Sequence, residues 1–244
     1  MAKTTARLFV DQELKAGAEI SLSPEQSHYL ANVLRIAAGD GVHIFNGRDG
    51  EYLAHVAQVL KRAVILRCEV LRSDAKPPPD IDYLFAPLKH QRLDYLVQKA
   101  TELGAKRLRP VITSRTIAER VNLGRMHANV VEAAEQCNLV YVPEVLEPQS
   151  LNHVIREWDM ARALIYCDEV AKQADPLLAL QKLKLPAAIL VGPEGGFTIE
   201  ERSMLTALTF VTAVSLGPRI MRADTAAVAV LALVQAVLGD WHKP

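Results

Sequence analysis

The chain has 244 residues, 50% of them apolar, and its 28 basic and 28 acidic side chains cancel to a formal net charge of zero. That is enough material for a sizeable core in one large domain or two small ones, and the balance excludes the globally basic footprint of a general nucleic-acid binder. No run approaches the roughly 18 consecutive apolar residues of a membrane span, and the opening MAKTTARLFVDQEL lacks the apolar stretch of a signal peptide, so a cytoplasmic location is expected.

In the first part of the chain, short apolar runs read as strands: RLFV (7–10), VHIF (42–45), EYLAHVAQVL (51–60) and AVILRCEVL (63–71), with a turn at NGRDG. Together they predict a small β-barrel or sandwich. Its single helix starts at Ser23-Pro24-Glu25-Gln26, a capping box with proline at the first helical position, and runs through HYLANVLR (28–35). The helix either plugs or flanks the barrel.

SDAKPPPD (73–80) is the clearest boundary, since three consecutive prolines join neither a helix nor a central strand and hold an extended spacer. Three segments follow: 1–72, a proline-rich linker at 73–79, and 80–244. After the prolines, apolar strands alternate with helices: IDYLFA, RLRPVI, ARALIYC, AAILVG and AVSLG each precede a helical stretch. The alternation predicts an α/β domain with a largely parallel sheet. Leu93, Leu96, Val97, Ala100 and Leu103 form one apolar stripe on the first of these helices, and Gly104 supplies its stop. The last helix, ADTAAVAVLALVQAVLG, is apolar around most of its circumference, as suits a helix buried within the chain or against a second subunit.

Charge is segregated along this neutral chain. Residues 76–125 hold ten Lys/Arg against five Asp/Glu, whereas residues 126–244 hold nine against fourteen. The basic stretch reads either as solvated helix faces or as an RNA-facing patch. Cys68, Cys137 and Cys167 form no CxxC pair and are odd in number, so they read as buried thiols, and the seven histidines show no HExxH spacing. No metal site is expected.

LVGPEGGFTIEE (190–201) is the most informative stretch. A buried strand breaks into a glycine-rich turn and opens a helix, the usual form of a phosphate cradle. Yet it matches neither GxxxxGK[ST] nor GxGxxG, offers no lysine and carries Glu194 at its centre. Two readings stay open: a tight strand-to-helix turn with Thr198 and Glu201 as a capping box, or a site for a phosphate-free ligand approached closely by bare backbone. S-adenosylmethionine, with an adenosine, a sulfonium and no phosphate, is such a ligand. A second loop, SLGPRIMRADTAA (215–227), again leaves a strand through Gly-Pro and presents Arg219, Arg222 and Asp224 before the final helix. Ligands of open α/β sheets bind beyond the carboxyl ends of strands, so the two loops, with IYCDE (165–169) as a third wall, predict one pocket.

The two loops taken with QKATELGA (98–105), EAAEQCN (132–138), VPEV (142–145) and HYLANVLR resemble the RsmE family of ribosomal RNA uridine N3-methyltransferases over nearly the whole chain. The resemblance implies a SPOUT-type trefoil-knotted parallel-sheet domain, preceded by a small PUA-like β-barrel that binds RNA. It also implies S-adenosylmethionine as cofactor, small-subunit ribosomal RNA or the 30S particle as partner, and a homodimer through the C-terminal domain. Carried over by residue, the cofactor pocket comprises Val191, Gly192, Pro193, Glu194, Gly195 and Gly196, then Leu216, Gly217, Pro218, Ile220 and Met221, with Cys167 and Asp168 closing it. Arg222 or Arg219 would stabilise charge on the uracil oxygens, and Asp224 or Glu194 would accept the N3 proton. Here the chain departs from the family's frequent LRTET, having Met221-Arg222-Ala223-Asp224-Thr225, which shortens one carboxylate and removes one hydroxyl. His28, Arg35, Lys89, Arg92, Arg115 and Arg120 are the expected RNA contacts. A ribosome-assembly protein that keeps the fold without turnover is the rival, and the missing phosphate fingerprint disfavours a nucleotide-dependent oxidoreductase.

Overall fold

In the computed structural model, which describes residues 4–61, 63–89, 91–117, 120–171 and 175–241, the chain divides into two units. One takes Met1–Pro77 with Ala134–Val142, the other Pro78–Ala133 with Pro143–Pro244. The short segment Ala134–Val142 thus counts with the N-terminal unit although it lies far beyond the prolines in sequence.

The first unit is built from β1 (Thr4–Phe9), β2 (Glu19–Ser21), α1 (Pro24–His28), β3 (Gly41–Phe45), β4 (Glu51–Val59) and β5 (Val64–Ser73). They form a five-stranded sheet in the order β1-β3-β4-β5-β2, with β1 parallel to β3 and the other pairs antiparallel. Along β5, Val64, Leu66 and Cys68 are buried while Arg67 and Glu69 are exposed, the period-two pattern of a strand with one face on a core. The capping box at Ser23 forms as expected. The α-helix, however, does not continue through residue 35: Tyr29–Val33 is a wider π turn, closed by Leu34 N–H donating to the Tyr29 carbonyl at 3.0 Å, and Arg35 leaves it at φ 54°. This turn places Leu30 fully inside the core with Leu8, Ile20, Val42, Ile44 and Leu66. β2 was not legible beforehand, being only three residues long.

Arg7 ties the distant segment in. Its guanidinium donates to the carbonyls of Ala134 (2.6 Å) and Leu139 (2.7 Å), pairs with Glu51 at 2.5 Å and lies 3.8 Å from the Phe45 ring centroid, while Phe9 N–H donates to Glu135 at 2.8 Å.

The second unit contains β6 (Ile81–Phe85), α2 (Gln91–Glu102), β7 (Arg107–Ile112), α3 (Leu123–Gln136), β8 (Glu144–Val145), β9 (Gln149–Ser150), α4 (Leu151–Arg156), β10 (Ala163–Cys167), α5 (Pro176–Leu180), β11 (Ala187–Val191), α6 (Ile199–Thr206), β12 (Val211–Val214) and α7 (Ala223–Val237). The last residues of α3 count with the first unit. The sheet order is β12-β10-β11-β6-β7-β8, with β9 adding to β7, and every pairing is parallel. All residues of β6 and β11 are buried, as strands covered on both faces must be, with Asp82 the one charged residue among them. At the amino ends of the strands, Asp80 and Asp82 meet Lys106, Arg107 and Arg162. Burial alone would raise the Asp80 carboxyl, but hydrogen bonds and charge from Arg162 and Lys106 hold it below its usual range. α2 packs on α7, where Gln235 donates from its side chain to the carbonyls of Leu103 (2.8 Å) and Gly104 (3.1 Å), satisfying the orphan end of α2.

Candidate active site

Because the strands are parallel, the chain leaves β10, β11 and β12 at one edge of the sheet, and β10 lies between the other two. The loop after β11 is braced from three sides. Glu201 closes the capping box expected from the sequence: its Oε2 accepts from Thr198 N–H at 2.9 Å while Thr198 Oγ1 accepts from Glu201 N–H at 3.2 Å. Its other oxygen, Oε1, accepts from Ser114 N–H at 2.8 Å, fastening the loop after β7 to the start of α6. Arg115 then donates to the Gly195 carbonyl at 2.7 Å, and Arg92 pairs with Glu194. At Gly192 a Cβ would strike the Phe197 ring, which is 8% exposed and sits edge-on to Tyr166 with centroids 5.1 Å apart.

The loop after β12 is bare by contrast. Gly217 has φ +110°, which side chains rarely adopt, and a Cβ there would meet open space. Residues 217–220 are exposed, Ile220 by 86%. Arg222 stands at the N-cap of α7 without a side-chain capping bond.

Between the loops, the end of β10 carries Tyr166, Cys167 and Asp168. Asp168 Oδ2 accepts from Arg202 at 3.1 Å and its Oδ1 accepts from Val170 N–H at 3.2 Å. Burial pushes the Cys167 thiol up to about 12, so it is neutral near pH 7 and unsuited to act as a thiolate nucleophile. Burial, together with the Asp168 charge, raises the Tyr166 phenol above its usual range, with Arg202 working against it.

These three strand ends enclose an open cleft of about 710 Å³, within the range of small-molecule sites. Of the residues expected at the cofactor, Cys167, Asp168, Val191, Gly192, Pro193, Glu194, Gly195, Gly196, Leu216, Gly217, Ile220 and Met221 all line it, as do Arg219 and Arg222. Pro218 and Asp224 do not. Asp224 sits in the first turn of α7, where its Oδ1 accepts from Thr225 N–H at 2.8 Å, so its carboxylate folds back on its own helix. Arg92 and Arg115, expected on RNA, line the cleft as well, and Lys89 joins Arg92 and Glu194 at a shallower hollow of about 360 Å³. Arg120 is exposed and lies outside the cleft; His28 and Arg35 are exposed on the first unit, His28 within 2.7 Å of Asn32.

Tyr166 and Glu169 line the cleft as part of the expected third wall, whereas sequence reasoning missed Phe197, Ile199, Arg202, Val214, Ala223 and Ala226. For Ile199 and Arg202 the signal was available, since the Thr198 cap starts a helix and residues three apart share a face. A phosphate-free adenosine derivative fits the lining. The Gly196 and Gly217 backbones face open space where a Cβ would stand, Leu216, Ile220 and Met221 supply apolar surface, and Glu194 adds a carboxylate paired with Arg92.

The chain is similar to known RNA methyltransferases. An RNA methyltransferase domain family matches residues 75–235, and an RNA methyltransferase PUA domain family matches residues 22–68. The ribosomal RNA small subunit methyltransferase E of Rickettsia conorii is 29% identical, covering 94% of each chain, and that of Synechocystis is 33% identical, covering 95% of this chain and 78% of the relative. The crystal structure of a ribosomal RNA small subunit methyltransferase E from Neisseria gonorrhoeae, bound to S-adenosyl methionine, superposes with a TM-score of 0.87 at 26% identity, covering 97% of this chain and 99% of that one. The chain belongs to the RNA methyltransferase domain family and, within it, to the ribosomal RNA small subunit methyltransferase E group.

Proposed function

We propose that this chain transfers a methyl group from S-adenosyl-L-methionine to N3 of a specific uridine in small-subunit ribosomal RNA. The observation that carries the reading is the meeting of two Gly-Pro loops at one cleft, with bare backbone at Gly196 and Gly217 and a carboxylate, Glu194, in the Gly-rich turn; a gonococcal relative is bound to the same cofactor. When bound, the cofactor supplies an electrophilic methyl group on its sulfonium. In this reading, main chain at 192–196 and 216–217 holds the adenosine, Ile220 and Met221 cover it, and much of the rate comes from positioning the uracil in line. Arg219 and Arg222 stabilise negative charge growing on the uracil oxygens. Glu194, oriented by Arg92, accepts or directs the N3 proton; Asp224, turned onto its own helix, is the weaker candidate.

Residues 1–72 then serve as the RNA-gripping PUA-like domain and 80–244 as the trefoil-knotted transfer domain, with 73–79 between them. His28, Arg35, Lys89, Arg92, Arg115 and Arg120 contact the ribosomal RNA or 30S particle. A homodimer through the C-terminal domain gives a partner to the half-buried Val228, Leu233 and Val237 of α7, and the cytoplasm is where the substrate is made. Nucleoside mass spectrometry of ribosomal RNA from cells lacking the gene tests the reading. Loss of N3-methyluridine is expected, and its persistence at full level refutes the assignment.

A further inference from the structure

We infer that Arg202, held by Asp168, selects the amino-acid end of the cofactor by pairing with its α-carboxylate. This rests on the S-adenosylmethionine reading above and adds a residue and a chemical preference to it. Arg202 enters the cleft from α6, one helical step from Ile199. Its Nη2 is fixed on Asp168, which is 7% exposed and whose second oxygen is held by Val170 N–H, so the pair is a built feature and not a swinging surface contact. A guanidinium has five N–H donors. The Arg202 side chain is 37% exposed and lines the cleft, and its buried Nε has no hydrogen-bond partner among the described residues, so the guanidinium keeps donor capacity beyond its bond to Asp168. An anionic oxygen is the acceptor that a guanidinium fork binds best.

The neighbouring charges say which anion. Arg202 stands beside the Asp168 carboxylate, and Glu169 lines the same wall. A phosphodiester would be repelled by both carboxylates, whereas the zwitterionic end of the cofactor offers an ammonium to them and a carboxylate to Arg202. The arginines bonded at the Gly-rich loop are already committed, Arg92 to Glu194 and Arg115 to the Gly195 carbonyl.

Calorimetry with two ligands tests this: S-adenosylhomocysteine, which keeps the amino-acid end, and 5′-methylthioadenosine, which lacks it. The wild type is expected to prefer the first. Arg202→Met is expected to weaken S-adenosylhomocysteine about tenfold or more, the scale of a lost charge-assisted bond, and to leave 5′-methylthioadenosine within about twofold. Should that variant fail to fold, Arg202→Gln, which shortens the reach and removes the charge, is read in the same way. Equal weakening of both ligands would mark Arg202 as merely structural, and an unchanged preference with weakened RNA binding would assign it to phosphate; either result overturns the inference. Equal wild-type affinity for the two ligands also overturns it while leaving the cofactor reading intact, whereas a wild type that binds neither refutes the cofactor reading itself.

Discussion

Two loops leave the same edge of the same sheet through the same Gly-Pro step, and they are finished in opposite ways. The one after β11 is tied by Glu201 to Ser114 and Thr198, by Arg115 to Gly195 and by Arg92 to Glu194, with Phe197 buried beneath it. The one after β12 is exposed from Gly217 to Ile220, and α7 begins without a side-chain cap. One wall of the cleft is therefore preorganised and the other is held mainly by its backbone. A site that takes both a small cofactor and a large RNA gains from that division, because rigidity lowers the cost of ordering the small ligand while an uncommitted rim can contact the large one.

The contrast is tested most severely at Gly192. Gly192→Val places methyl groups where the Phe197 ring lies; overpacking of this kind costs about 1–3 kcal/mol, and loss of S-adenosylhomocysteine heat in calorimetry is expected with it. Glu201→Ala removes one carboxylate that serves two N–H groups in two loops, and a fall of about 2 kcal/mol in urea unfolding is expected from the lost cap and charged bond. Gly217→Ala imposes a side chain at φ +110°, and about 1 kcal/mol is expected, confined to the bare loop and visible as weaker cofactor affinity more than as a lower Tm. Ile220→Ser is expected to leave stability within about 0.5 kcal/mol, because the side chain is 86% exposed, yet to weaken ligand binding; an equal loss of stability would show that the second loop is as braced as the first.

Between the loops, Cys167 supplies a pH test. Its folded thiol ionises at about 12 and an unfolded one near 9.0, so the unfolded chain gives up this proton first as pH rises. The stability contributed by the neutral, partly buried thiol is intact below pH 9, and drains away as pH climbs through 12. Cys167→Ala is expected to flatten that alkaline slope in pH-dependent denaturant melts.

Local chemistry was legible where it depends on near neighbours. The capping boxes at Ser23 and Thr198, the buried Leu96, Val97 and Ala100 of α2, and a largely parallel sheet follow from spacing and alternation, and all are observed, the sheet of the second unit being parallel at every pairing. Features that depend on which elements become neighbours were not. Periodicity does not reveal that β10 lies between β11 and β12, nor did it bring Phe197 or Arg202 to the cleft. Arg92 and Arg115 read as RNA contacts from charge alone; their bonds to Glu194 and Gly195 span 102 and 80 residues. The π turn at Tyr29–Val33 escaped notice because its spacing differs from an α-helix by one residue, enough to set Leu30 inward. The family resemblance supplied the trefoil knot, which is a property of the whole path and of no local segment.

The membership of Ala134–Val142 bears on how this gene can be cut. Because the N-terminal unit draws its last pieces from beyond residue 130, no single stop codon or protease nick releases it whole. A fragment ending at Pro77 would strand the Arg7 guanidinium without the Ala134 and Leu139 carbonyls and Phe9 N–H without Glu135. Such a fragment should melt below its counterpart supplied with residues 134–142 as a separate peptide or a grafted loop. An exchange of the N-terminal unit between chains of this kind would have to carry both pieces together.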